Sequence, residues 1–183
     1  MCIAILWLLT MSSAMSLSAA PKVRCESHIY SIVDSDTLRL DHYTSAKCAK
    51  GGMRPALIFM FGGGFKGGSR SAEQYGDFFS WLAMEGVDLF SIDYRLGLKG
   101  LTQESISSPE DFVAKLGGAV QMAVEDLYRS TAYIVESAKE WGIDPNRVFV
   151  AGSSAGAISV LQGEYLRVNR SPLAALLPEG FEY

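Results

Sequence analysis

Arg147-Val148-Phe149-Val150-Ala151-Gly152-Ser153-Ser154-Ala155-Gly156 is the stretch whose reading decides the fold. Val148 to Val150 are β-branched or aromatic and read as a short buried strand spanning Arg147 to Ala151. Helical spacing resumes at Ala155 and continues to Arg167. Strand, sharp turn and helix in immediate succession lift the residue at the apex out of the carboxyl end of a sheet. Gly152 and Gly156 stand two residues to either side of Ser154, where side chains would collide with the neighbouring strand and helix. Gly-x-Ser-x-Gly arises often by chance, so its weight comes from this flanking structure. The plain alternative is that Ser153 and Ser154 merely cap a helix. Ser154 rather than Ser153 is the candidate nucleophile, because only Ser154 has glycine at both offsets. The Ala155 N–H, at the positive end of the helix, is a candidate donor to a developing oxyanion.

Upstream, Ala56 to Phe61 is an unbroken apolar run bounded by Pro55 and Gly62, which suits a strand covered on both faces and inside a sheet. It runs into Gly62-Gly63-Gly64-Phe65. Three successive glycines pack nothing and cost backbone entropy, which makes sense where N–H groups must approach a ligand closely. Gly63 and Gly64 are therefore candidate oxyanion donors alongside Ala155. A phosphate-cradling loop would need Gly-x-x-x-x-Gly-Lys-Ser/Thr, which is absent, and a plain surface loop is the remaining alternative.

Between and around these motifs, strands and helices alternate. Ile29 to Val33 and Thr37 to His42 form a hairpin about Asp34-Ser35-Asp36. Tyr75, Phe78, Phe79 and Leu82 recur at helical intervals within Ser71 to Glu85, and Gly86 stops that helix. Val87 to Asp93 is the next strand. A long helix opens at Ser108-Pro109-Glu110 and ends at Gly142, with a break or bend expected at Gly117-Gly118. Asp144-Pro145-Asn146 is expected to be a turn. The pattern implies an α/β fold with a mainly parallel sheet and helices on both faces, in which the strand before Ser154 is expected to be central.

The chain has 183 residues, 49% of them hydrophobic, enough for one domain's core. With 16 Lys and Arg against 20 Asp and Glu, and no basic cluster, nucleic acid is excluded as a partner. Met1 to Ala20 carries a short apolar run followed by small residues and is expected to be an export signal, too short to span a bilayer stably. Removing it leaves Cys25 and Cys48, a candidate disulfide in an exported protein. Neither cysteine has metal-ligand spacing, so no metal or other cofactor is expected.

Taken together, Gly62 to Gly64, Ile92-Asp93-Tyr94-Arg95-Leu96, Gly142-Ile143-Asp144-Pro145-Asn146-Arg147 and Gly-Ser-Ser-Ala-Gly resemble, in order, the α/β-hydrolase esterases of the hormone-sensitive-lipase and carboxylesterase kind. That resemblance implies serine hydrolysis of carboxylic esters, small-molecule or carbohydrate-linked, by an exported bacterial enzyme of the acetyl, aryl or feruloyl type. Such esterases usually carry His before the triple glycine, where this chain has Phe61, so a polar brace of the loop is lost.

In this fold the triad runs Ser, then Asp or Glu, then His. No His follows Ser154, and the two histidines, His28 and His42, lie in the leading hairpin, where packing or solvation suits them. Asp93 precedes the nucleophile and reads instead as a structural partner for Arg95. The chain stops where a further strand is expected, so residues 21–183 read as the N-terminal portion of a hydrolase domain, inactive alone. A non-catalytic binding protein and a serine peptidase of the same fold are the alternatives.

Overall fold

The computed structural model describes residues 23–45 and 52–183. Strands β1 (Val23–Val33) and β2 (Asp36–Ser45) form the leading hairpin, and β3 (Arg54–Met60), β4 (Asp88–Ile92) and β5 (Ile143–Gly152) follow. They make one sheet in the order β1-β2-β4-β3-β5. The hairpin adds antiparallel to β4 through β2, whereas β3 pairs parallel with both β4 and β5.

Alternation along the strands sorts residues onto two faces. On one, Phe59 of β3 and Tyr43 of β2 meet Phe79 of helix α1 (Gly76–Glu85), with ring centroids 5.1 and 5.3 Å apart. Phe79 is fully buried, which contributes roughly 2–3 kcal/mol. Helices α2 (Pro109–Trp141) and α3 (Ala155–Val168) cover the opposite face. There Trp141 stacks on Phe90 and tilts against His42 and His28. Among the described residues no helix is long and apolar enough to cross a membrane.

Three expectations are corrected. Helix α2 runs unbroken through Gly117 and Gly118. Its Ser108 cap accepts from the Asp111 N–H, and Ala119, Ala123, Val124 and Leu127 are buried, which outweighs a cost of about 1 kcal/mol per glycine. Strand β5 lies at the edge of the described sheet rather than at its centre, and β3 is the strand flanked on both sides by parallel partners. Asp144-Pro145-Asn146 does turn locally, the Asn146 N–H donating to Asp144 Oδ1 at 3.0 Å, but it does so inside β5, where a register shift between Arg54 and Ala56 absorbs it. Cys48 lies outside the described residues, as do residues 1–20, and Cys25 is exposed.

The amino ends of β3 and β4 are tied by a buried polar cluster. Asp88, 1% exposed, accepts from His42 Nε2 at 2.5 Å and from the Arg54 guanidinium, which also donates to the Trp141 carbonyl at 2.6 Å. Burial alone would raise the Asp88 carboxyl, but the hydrogen bonds from His42 and Arg54 overcome it and hold the group below its ordinary range.

Candidate active site

Ser154 sits where β5 turns into α3, with φ 49° and ψ −115°, a backbone region that L-residues rarely occupy. The turn closes through short hydrogen bonds. Ser153 N–H donates to the Met60 carbonyl at 3.0 Å, Gly156 N–H to Ser153 O at 2.9 Å and Ile158 N–H to Ser154 O at 3.0 Å.

The flanking glycines are required by distance as well as by torsion. A Cβ on Gly152 would stand 2.4 Å from the Gly156 carbonyl carbon, and one on Gly156 would stand 2.1 Å from Met60 O. Side chains at either position would push the strand, the turn and the helix apart. Ser154 itself is exposed, its hydroxyl carried at the carboxyl end of the sheet.

The glycine loop lies against this turn. A Cβ on Gly62 would meet Ser154 Cβ at 3.2 Å and Ser153 O at 3.0 Å. Gly63 (φ 142°) has no room for one, since the Gly67 carbonyl oxygen would lie 2.1 Å away, and Gly64 (φ 62°) is left-handed. Lys66 and Gly67 N–H both donate to Gly63 O, coiling the loop back on itself. Ala155 is the first residue of α3, 2% exposed, in the turn whose N–H groups have no partner within the helix. Gly62, Ser154 and Ala155 are thus brought together, with Gly63 and Gly64 next along the loop.

Phe61, standing where the polar brace would be, holds the loop by packing. Its ring stacks on Tyr94 at 4.5 Å, and the Tyr94 hydroxyl donates to the Phe61 carbonyl at 2.8 Å. Burial pushes the Tyr94 phenol up, so it stays a donor. The brace is aromatic on one side and hydrogen-bonded on the other. Tyr94 appears in the sequence beside Asp93 and Arg95 with no role assigned to it, and a hydroxyl-bearing aromatic directly after a strand was the available signal. Tyr75, whose hydroxyl accepts from Gly62 N–H at 3.4 Å, carried no signal beyond helical spacing.

Asp93 does not pair with Arg95. Arg70 Nη1 reaches Asp93 Oδ2 at 2.7 Å, and Arg95 instead donates to Asp126 and Glu125 on α2. The strand ends at Ile92, and beyond it the two side chains go to different partners, Arg70 for Asp93 and α2 for Arg95. His28 and His42 both contact Trp141 at the amino end of the parallel strands. Seven residues of β3 separate that end from Ser154, about 20 Å. Among the described residues no imidazole stands beside Ser154. A groove of about 1030 Å³ between α2, α3 and the 3-10 helix Pro172–Leu176, lined by Val113, Leu116, Ile158 and Leu176, does not include Ser154 either. Among the described residues no cluster of His, Cys, Asp and Glu could hold a metal ion.

The chain is similar to known proteins over most of its length. The carboxylesterase family matches residues 9–163. Fumonisin B1 esterase of Sphingopyxis macrogoltabida is 34% identical over 122 residues, 67% of this chain and 22% of that protein. Human carboxylesterase 5A is 32% identical over 129 residues, 70% of this chain and 20% of the relative. Among solved structures, the propionate-bound esterase Est2 of the planctomycete Thermogutta terrifontis superposes with a TM-score of 0.58 at 26% identity, covering 74% of this chain and 43% of its own. The chain therefore spans about a fifth of the length of the curated relatives it matches. With an α/β-hydrolase sheet, a strained serine turn and a triple-glycine loop arranged as described, this chain belongs to the carboxylesterase family.

Proposed function

We propose that these residues form the nucleophile half of a carboxylic ester hydrolase, with Ser154 as the attacking residue and the N–H groups of Gly63, Gly64 and Ala155 as the oxyanion hole. One observation carries the reading: a serine held at φ 49° beside a glycine loop so close that a Cβ on Gly62 would stand 3.2 Å from the Ser154 Cβ. Strain of this kind, worth about 1–3 kcal/mol, persists where the surroundings over-determine it, as they do at reactive sites. In the reaction Ser154 Oγ forms a bond to the ester carbonyl carbon, negative charge gathers on the carbonyl oxygen before the N–H groups, and the alcohol leaves as the acyl-serine forms. Water then attacks the acyl-serine and releases the acid.

Both steps need a base. His28 and His42 sit at the wrong end of the sheet, so the triad histidine and its acid are assigned to polypeptide outside these 183 residues. An ester substrate is in keeping with relatives named as esterases, and we infer one that is small or carbohydrate-linked. Residues 1–20 act as an export signal, residues 21–183 contribute the hydrolase domain, and Cys25 and Cys48 pair after export.

The test is hydrolysis of an aryl acetate by the 183-residue chain and by a polypeptide supplying the histidine, each with and without Ser154→Ala. Turnover confined to the longer form and abolished by the substitution is expected. Turnover in the longer form that survives it removes Ser154 from the mechanism. If no form turns over, a non-catalytic binding role is favoured.

A further inference from the structure

Tyr75 ends the short 3-10 helix Glu73–Tyr75 and precedes α1, where no sequence pattern marks it as functional. Its ring packs against Phe59 at 4.9 Å and Phe79 at 5.8 Å. Both are buried, so apolar packing fixes where the phenol oxygen stands. That oxygen meets the loop and the turn together. Gly62 N–H donates to it at 3.4 Å, and the Ser153 hydroxyl stands at the same place, 3.3 Å from where a Cβ on Gly62 would lie.

The electrostatics tie the Ser153 hydroxyl to this same oxygen. The bond from Ser153 holds the Tyr75 phenol below its ordinary value against the effect of burial, and Gly62 N–H and the Gln74 side chain add to it. Tyr30, Tyr43, Tyr94, Tyr128 and Tyr183 are all pushed the other way, by burial first. Tyr75 differs because its oxygen is a shared acceptor. The space it borders is tight: a Cβ on Gly62 would lie 3.3 Å from Ser153 Oγ and 3.2 Å from Ser154 Cβ.

We propose that Tyr75 is a positioning residue of the acyl-transfer site, its hydroxyl oxygen bridging Gly62 N–H and the Ser153 hydroxyl so that the glycine loop and Ser154 keep a fixed separation; this rests on the esterase reading above. Oxyanion donors act within about 2.7–3.1 Å of the charge they stabilise. A loop held at the wrong distance from the attacked carbon loses those bonds in the transition state, while binding of the ground-state ester changes little. The bridge therefore acts on kcat.

The experiment has two readouts. The first is spectrophotometric titration of the tyrosines in the 183-residue chain, compared with Tyr75→Phe and Ser153→Ala. A phenol ionising below the ordinary value of about 10 is expected in the wild type, absent in Tyr75→Phe and moved back up in Ser153→Ala. A low step that survives Tyr75→Phe, or that Ser153→Ala leaves in place, overturns the bridge.

The second readout is aryl acetate hydrolysis by the polypeptide that supplies the histidine. Tyr75→Phe keeps the ring packing, so a fall in kcat of about tenfold or more with KM within about twofold is expected. An unchanged kcat, or a change in KM alone, overturns the positioning role. If the low phenol step is present but no Ser154-dependent turnover exists, the esterase reading fails and the positioning role falls with it, an outcome the titration separates from failure of the bridge.

Discussion

A Cβ added to Gly156 would stand 2.1 Å from the carbonyl oxygen of Met60. The last residue of β3 and the second residue of α3 are therefore in direct backbone contact, and the serine turn is clamped between them. Gly156→Ala should destabilise the fold by at least about 1–3 kcal/mol, because backbone must move to admit the methyl. In α2, a Cβ on Gly117 meets nothing within 4 Å, so Gly117→Ala should stabilise by about 0.4–1 kcal/mol. Chemical denaturation of the two variants beside the wild type checks both signs.

Ser154 occupies a backbone conformation that glycine adopts freely. Ser154→Gly should raise the unfolding midpoint relative to Ser154→Ala, since relief of about 1–3 kcal/mol of strain exceeds the added chain entropy of about 0.5–1 kcal/mol. Thermal unfolding of both variants measures the difference. Equal midpoints would mean that the turn carries no strain.

Removing the Tyr94 hydroxyl leaves the buried Phe61 carbonyl without that donor. Tyr94→Phe should cost about 1–3 kcal/mol and raise amide exchange across Gly62 to Gly68, with the ring stack kept. Hydrogen exchange read by mass spectrometry locates the effect. Exchange rising equally throughout the chain would argue against a local brace.

Asp88 has its folded carboxyl held below the unfolded value, so its contribution to stability is present above the unfolded carboxylate range and is lost as pH falls through the folded value. Burial pushes Asp126 up, with the hydrogen bonds from Arg95 opposing, which gives that group the opposite slope. Asp88→Asn should therefore flatten the acid limb of a stability–pH curve. At neutral pH it should destabilise the fold, because the ion pair between Asp88 and Arg54 is broken in a buried setting. Thermal unfolding from neutral to acid pH checks both statements.

Much of this was legible from local pattern. Val148 to Ala151, the glycines around Ser154 and the apolar run Ala56 to Phe61 each carry their structure within a few residues, and the strands and the turn appear where those residues stand. What was not legible depends on the return of distant chain. The edge position of β5 follows from strand order, which no single segment encodes. Arg95 finds Asp126 on α2 across 31 positions, and Asp93 finds Arg70 across 23, so pairing sequence neighbours misassigned both. Tyr75 reaches the site because the loop after Phe65 folds back over β3, and the helical spacing that places its ring in the core says nothing of its oxygen.

The buried cluster of His42, Asp88 and Arg54 and the serine turn occupy opposite ends of the same parallel strands, about 20 Å apart. Substitutions that far apart, with no shared partners, combine additively. Variation in the loops around Ser154 can accumulate without drawing on the anchor that joins the hairpin to the sheet, and changes in the hairpin leave the serine turn alone. An evolving or engineered lineage could thus reshape the carboxyl end while inheriting the amino end unchanged.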